Sequence, residues 1–232
     1  MLIFPVLTAA VLAALTVSLT AQYVARGRPH QLAWAVALAC GLLASVAFVG
    51  SALAGGNPWL FRVYYLGGAV LSAPLLGLGS TLLLPRRGPF WVLLAASALC
   101  AVVAAVGLSA TPLDRATLAA MGIQPGAGLI TSPLVIAAVI GGNSLGTIAV
   151  VGVALWSLLR SLRGHQPWGL TAGNALIVTG TLVIAAAGSL ARLDHGAGFW
   201  AAMAGGWALL YAGVVALSAS PAVHRQRAAA SA

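Results

Sequence analysis

The sequence predicts an all-α fold, a polytopic membrane bundle of seven transmembrane helices. Of the 232 residues, 61% are hydrophobic and only 6% are charged, whereas charged residues make up about a quarter of a soluble domain. The mean hydropathy of +1.04 extends over the whole chain, with no polar half. These observations exclude a soluble domain carried by one membrane anchor and indicate a multi-pass membrane protein.

Seven apolar stretches are long enough to cross about 30 Å of hydrocarbon, which takes about twenty helical residues. They lie at 3–25, 32–54, 61–84, 90–109, 132–159, 170–191 and 198–219, and turn-forming or basic segments separate them. The first stretch has no basic n-region, so we expect it to be a retained span and not a signal peptide. Residues 1–220 are therefore predicted to form one transmembrane domain, followed by a short basic cytoplasmic tail at 221–232.

The arginines predict the orientation of these spans. Eight fall on one side (Arg26, Arg28, Arg86, Arg87, Arg160, Arg163, Arg225 and Arg227) and three on the other (Arg62, Arg115 and Arg192). Because arginine concentrates in cytoplasmic loops, the N-terminus is expected outside and the C-terminus in the cytoplasm. The basic inner face is expected to attract anionic lipid headgroups, so the net charge of +9 does not indicate a nucleic-acid partner.

The long connection between the fourth and fifth spans contains a helix-start pattern. Thr111 is a candidate N-cap, Pro112 suits the first helical position, and Asp114 follows the cap by three residues. Gly122 is a candidate stop signal. The pattern predicts a short helix at about 112–121 near the outer membrane interface.

Several residues repeat at a constant offset of 138 positions. Gly50-Ser51 matches Gly188-Ser189, Phe61 matches Phe199, Gly67-Gly68 matches Gly205-Gly206, and Ser80 matches Ser218. The matches suggest two parallel three-span halves, at about 3–84 and 132–219, joined by a connector helix at about 90–109.

This 3+1+3 layout resembles the seven-span sugar transporters and PQ-loop proteins in architecture only, because the PQ dipeptide is missing from the corresponding spans. The segments RVYYLGGAVLSAPLLGLGSTLLL, NSLGTIAVVGVALWSLLR and GNALIVTGTLVIAAAGSLARL resemble blocks of a family of uncharacterised bacterial multi-pass membrane proteins. That resemblance implies no activity, but it implies a bacterial inner membrane.

The composition excludes several mechanisms. The chain has no Lys and no Glu, and its only acids are Asp114 and Asp194. A lysine Schiff base and a P-loop are therefore excluded. No ionisable side chain falls in the middle of a predicted span, which argues against a proton relay. Cys40 and Cys100 lie in apolar runs and are interpreted as small buried hydrophobes. We expect no enzyme activity, no cofactor and no metal.

The candidate ligand contacts are weakly polar residues within the spans. Gly141-Gly142-Asn143-Ser144 and Thr147 interrupt the fifth span, where glycines let a helix unwind and expose carbonyls to a ligand. The alternative is close helix packing, with Asn143 hydrogen-bonded across an interface. Asn174 has the same two interpretations, and Ser72 precedes a predicted kink at Pro74.

A second candidate group lies at the outer surface and comprises Asp114, Arg192, Asp194 and His195. Carboxylates and an imidazole are metal ligands, but a solvated ion pair such as Asp194 with Arg192 is the simpler interpretation. His30 and His165 are expected to be solvated beside arginines. The aromatic residues near span ends, Trp59, Tyr64, Tyr65, Trp91, Trp168 and Trp200, are expected to form an interfacial belt.

Two main functions fit these features. The first is binding or transport of a small neutral or amphipathic solute in a cavity between the two halves. The second is a non-catalytic structural or accessory subunit that packs against a membrane-protein partner or a second copy. A third, an enzyme using Asp114, Asp194 and His195 at the outer interface, is the weakest.

Overall fold

A computed structural model describes residues 2–164, 168–193 and 195–219, and within these ranges every regular element is helical. Seven helices are long and apolar enough to cross a membrane, as predicted. They are α1 (Ile3–Arg26), α2 (Pro29–Leu53), α3 (Pro58–Thr81), α4 (Gly88–Ala110), α6 (Pro133–Arg163), α7 (Trp168–Arg192) and α8 (Gly196–Ala219). Between α4 and α6 lie a short helix, α5 (Arg115–Ala120), and a 3-10 turn at Ala127–Leu129.

Several spans begin earlier than hydropathy predicts, because prolines start their helices. Pro29, Pro58 and Pro89 occupy the first helical turns of α2, α3 and α4, where the missing N–H would have no intrahelical partner. Asn57 caps α3, and its side-chain oxygen accepts the backbone N–H groups of Trp59 and Leu60 at 3.0 and 3.2 Å. Prolines expected in connecting segments are thus parts of the helices.

The short helix α5 is correctly expected, but its predicted start is wrong. Asp114, not Thr111, is the N-cap, and its carboxylate accepts the backbone N–H and the hydroxyl of Thr117 at 2.9 and 2.6 Å. The Thr111 hydroxyl instead donates to the carbonyl of Gly107 at 2.9 Å, at the end of α4. The hydrogen bond from the Thr117 hydroxyl is the main cause of the lowered pKa of Asp114.

Six of the long helices form a closed ring. Around the ring, α1 packs against α2, α2 against α3, α3 against α6, α6 against α7, α7 against α8, and α8 against α1. The remaining span, α4, lies outside the ring and packs against α3 and α6. We call the end of the ring that carries α5 the outer end, following the predicted orientation.

Glycines bring the backbones of neighbouring ring helices into contact. A Cβ added to Gly77 of α3 would lie 2.7 Å from the Cα of Gly146 in α6. In α7 and α8, a Cβ on Gly180 would lie 2.7 Å from the Gly206 carbonyl, and one on Gly173 would lie 3.0 Å from the Gly213 carbonyl. Such small-residue contacts are the usual way in which membrane helices pack closely.

Candidate functional site

One of the ring helices, α3, is irregular in the middle of its span. The expectation that the glycines of the fifth span unwind that helix is wrong, because α6 is helical throughout Pro133–Arg163. Instead, α3 contains a π-helical segment at Tyr65–Leu71, in which the N–H of Ser72 donates to the carbonyl of Gly67, five residues back. In that register the donor for the Ala69 carbonyl would be residue 74, a proline with no N–H.

Asn143 of α6 supplies the missing donor. Its side-chain Nδ2 donates to the carbonyl of Ala69 at 2.7 Å and to that of Val139, in its own helix, at 2.9 Å. The second interpretation of Asn143, a hydrogen bond across a helix interface, therefore describes its contacts. Both bonds use Nδ2, so the Oδ1 acceptor takes part in neither.

Two cavities lie inside the ring, one toward each end. The outer cavity has a volume of about 640 Å³ and is lined by all six ring helices and the segment that precedes α6. The inner cavity has a volume of about 230 Å³, and its lining is almost entirely apolar. Because small-molecule sites usually measure about 300–1,000 Å³, the outer cavity alone has the size of a ligand site.

The two cavities meet at a shared set of side chains, which we call the junction. Its members line both cavities and are Ser72, Ala73, Thr147, Ile184 and Trp207. Trp207 is only 1% exposed, and its indole N–H has no hydrogen-bond acceptor among the described residues. Trp207 was not a candidate on sequence grounds, because an apolar span gives no sign of which tryptophan faces a cavity.

The structure places all five candidate ligand contacts in the walls of these cavities. Asn143 and Ser144 line the outer cavity, Ser72 and Thr147 belong to the junction, and Asn174 lines the inner cavity. Asn174 donates through Nδ2 to the carbonyl of Leu170 in its own helix at 2.8 Å, and not across an interface. The structure thus places candidate residues from three spans in the walls of two adjoining cavities. Ligand binding by these residues stays a prediction.

The outer cavity reaches the lipid-facing surface between α6 and α7. Ile140, Ser144 and Ile148 recur every fourth residue on α6 and both line the cavity and are exposed. On α7, Gly188 and Ser189 do the same. At the inner end the two helices are joined by a hydrogen bond of 2.7 Å between the Ser161 and Thr171 hydroxyls. These observations indicate a lateral cleft that opens toward the outer end.

The segment that precedes α6 covers the outer end of the cavity. The Tyr64 hydroxyl donates to the carbonyl of Pro125 at 3.1 Å, and the Trp200 indole N–H donates to that of Ile123 at 3.0 Å. Gly126 adopts a positive φ of 70° beneath the ring of Phe61, a conformation that glycine adopts without strain. Hydrogen bonds from α3 and α8 therefore fix this covering segment.

The expected aromatic belt is only partly correct. Trp59, Trp91 and Trp168 are exposed, as a lipid-interface belt requires, but Tyr64, Tyr65 and Trp200 are buried. The rings of Tyr64 and Trp200 pack on Phe48, with centroids 5.0 and 4.5 Å away. The buried rings form a core beneath the covering segment, which a residue's distance from a span end does not reveal.

The second candidate group is not assembled into a metal centre within the described chain. Asp114 caps α5, Arg192 is exposed and lines the outer cavity, and His195 is exposed. Asp194 and His165 lie outside the described residues. No cluster of three or more His, Cys, Asp or Glu side chains occurs among the described residues.

No protein-family model, no curated protein and no solved structure matches this chain.

Proposed function

We propose that this protein binds a small neutral or amphipathic solute in the outer cavity and passes it along the axis of the ring to the inner cavity. The observation that carries the proposal is the pair of cavities that meet at one junction inside a closed ring of six helices. Transporters commonly bind their substrates near the midplane of the membrane, between helices.

The lining indicates the class of solute. Among the described residues that line either cavity, Arg192 is the only one with a formal charge, and none is acidic. A cation would find no counter-charge among these described residues, and an uncompensated charge is costly in a membrane interior. The Asn143 Oδ1 accepts hydrogen bonds, whereas the hydroxyls of Ser72 and Thr147 both donate and accept them. This set suits a neutral solute, and the cleft between α6 and α7 suits one with an apolar part that enters from lipid.

The proposal includes two parallel halves, α1 to α3 and α6 to α8, with α4 as the connector. The position of α4 outside the ring supports it. Two matched pairs also support it. A Cβ on Gly68 would contact Ala44 of α2, and one on Gly206 would contact Ile184 of α7, so each glycine faces the preceding span. Phe61 and Phe199 both pack in the aromatic core of the outer end.

We further propose an orientation with the N-terminus outside, a bacterial inner-membrane location and an inner surface that attracts anionic lipids. The arginine distribution supports the orientation and the attraction to anionic lipids. The resemblance of three sequence segments to bacterial multi-pass membrane proteins supports the location.

Solute flux into proteoliposomes tests the function. Purified protein is reconstituted, and swelling under gradients of glycerol, urea and erythritol is followed by light scattering. Thr147→Phe places a ring at the junction, and Leu145→Phe adds the same ring at an exposed position that lines neither cavity. We expect flux with the wild type and Leu145→Phe and little with Thr147→Phe. Equal rates for all three proteins and for empty liposomes would reject the proposal.

The accessory-subunit function is favoured by one observation, the peripheral position of α4. Its apolar side chains Trp91, Val92, Leu99, Val102 and Val106 are exposed, and a partner or a second copy would cover them. Cross-linking of cysteines introduced at Leu99 and Val102 in native membranes tests this function. Specific cross-linked products combined with an absence of solute flux would favour it over transport.

A further inference from the structure

We propose that Trp207 is the gate between the two cavities, and that its indole N–H binds an oxygen atom of the solute when the gate opens. The inference rests on the proposed function and names a recognition element within it. Trp207 is the largest side chain of the junction, lines both cavities, and is buried. Its side chain therefore stands between the two spaces that a solute must traverse.

The hydrogen bonding of the three indoles that line the cavities sets Trp207 apart. The Trp34 indole N–H donates to the Leu76 carbonyl at 3.2 Å, and that of Trp200 donates to the Ile123 carbonyl at 3.0 Å. Trp207 is buried whereas Trp34 is half-buried, yet the N–H of Trp207 has no acceptor in the described chain. An unpaired buried donor is unfavourable and calls for an acceptor that the protein does not supply. A ligand oxygen at the junction meets that need.

The glycine beside Trp207 shows which part of the gate moves. A Cβ on Gly206 would lie 2.6 Å from Ile184 Cγ1 and 3.0 Å from the Gly180 carbonyl, so the α8 backbone is packed directly on α7 at this level. The other junction side chains include Ser72, Ala73 and Thr147, all of them small. Rotation of the indole into one cavity therefore connects the two with the smallest rearrangement.

The solute class follows from the donor. Indole nitrogen donates and does not accept, so the solute must carry an oxygen acceptor such as a hydroxyl, carbonyl or ether. The Oδ1 of Asn143, at the wall of the outer cavity, accepts and so favours a solute with a donor as well. Hydroxylated and amide solutes have both.

The test compares three variants in the proteoliposome assay with glycerol and urea. Trp207→Phe keeps an aromatic ring but has no N–H, and we expect flux about two- to tenfold slower, the worth of one hydrogen bond. Trp207→Ala removes the barrier, and we expect faster flux than in the wild type. Trp91→Phe, at an exposed position of α4 that lines neither cavity, is the control and should match the wild type.

Thiol labelling provides a readout that does not depend on flux. In a background with Cys40→Ala and Cys100→Ala, Ser189→Cys reports the outer cavity and Ser157→Cys the inner one. With Trp207 present, a membrane-impermeant maleimide applied at the outer face should label only the outer cysteine. With Trp207→Ala the maleimide should label both cysteines. Each introduced cysteine replaces a serine, so the two substitutions are matched.

The outcomes separate the gate from the function. Wild-type flux that neither Trp207 variant changes would overturn the gate and leave the function standing. Wild-type flux no greater than that of empty liposomes would reject the function, and labelling of Ser157→Cys that is identical with and without Trp207 would then reject the gate too. If Trp207→Ala fails to fold, the flux through Trp207→Phe decides, and a rate equal to that of the wild type overturns the recognition role.

Discussion

The contact between α3 and α6 supports a sharp prediction, because it joins two backbones beside the junction. A Cβ on Gly146 would overlap the carbonyl of Ala73 and lie 2.7 Å from the Pro74 nitrogen. These are backbone atoms, which no side-chain rotation can move aside. Gly146→Ala must therefore push the helices apart.

The size of the effect follows from two opposing contributions. Alanine is better than glycine in a helix by about 0.5–1 kcal/mol, whereas overpacking a close contact costs about 1–3 kcal/mol. We therefore expect Gly146→Ala to lower the free energy of unfolding by about 1–2 kcal/mol. Gly152, on the same helix, has no atom within 4 Å of its added Cβ, so Gly152→Ala should be neutral or stabilising by up to about 1 kcal/mol.

Reversible unfolding in mixed micelles, titrated with sodium dodecyl sulfate and followed by circular dichroism, measures both variants. The same substitution should therefore destabilise the protein at position 146 and leave it equally stable or more stable at position 152. Gly77→Ala, whose Cβ would lie 2.7 Å from the Cα of Gly146, should behave like Gly146→Ala. If Gly146→Ala were as stable as Gly152→Ala, the direct α3–α6 backbone contact, and the junction built beside it, would be refuted.

Three further predictions concern hydrogen bonds. Asn143→Leu should destabilise the protein by about 1–2 kcal/mol in the same titration, and more than Asn174→Leu, which breaks only a bond within one helix; equal losses would count against the cross-helix role. Combining Tyr64→Phe with Trp200→Phe should speed amide exchange at 123–127, since both anchors of the covering segment are lost; unchanged exchange would contradict the anchoring. The pKa of Asp114 is lowered in the folded protein, so its cap should stabilise α5 fully above the ordinary aspartate pKa and be lost as pH falls through the lowered pKa. Amide exchange in α5 should therefore rise at that acid pH in the wild type and not in Asp114→Asn. The same acid dependence in both proteins would show that another group is responsible.

Hydropathy could predict the seven spans because burial in lipid requires long apolar helices regardless of how they pack. It could not place the irregular turn. On sequence grounds the candidate is Gly141-Gly142, but the irregular turn lies at Tyr65–Leu71, where the outcome depends on Pro74 and on a side chain from another helix, Asn143. The position of the π-helical segment therefore depends on a proline and on a contact from another helix, and not on adjacent glycines alone.

The candidate site was predictable in its residue types but not in its centre. Ser72 lies beside the predicted kink at Pro74, and Asn143 and Thr147 lie beside the glycines of the fifth span, so the sequence marks them as candidates. Trp207 did not stand out, since its burial depends on the ring bringing α8 against α1. Burial of Tyr64 and Trp200 likewise depends on the docking of a segment distant in sequence.

A cysteine-accessibility scan of α6 from 139 to 148 tests most directly whether a solute-accessible cavity lies inside the ring. A hydrophilic maleimide reacts only where water reaches the thiolate. The cavity predicts reaction at positions 143, 144 and 147, with protection at Gly142, which is buried against α3, and at the lipid-exposed Leu145. Protection of positions 143, 144 and 147 to the same degree as Leu145 would contradict the cavity and the transport function built on it.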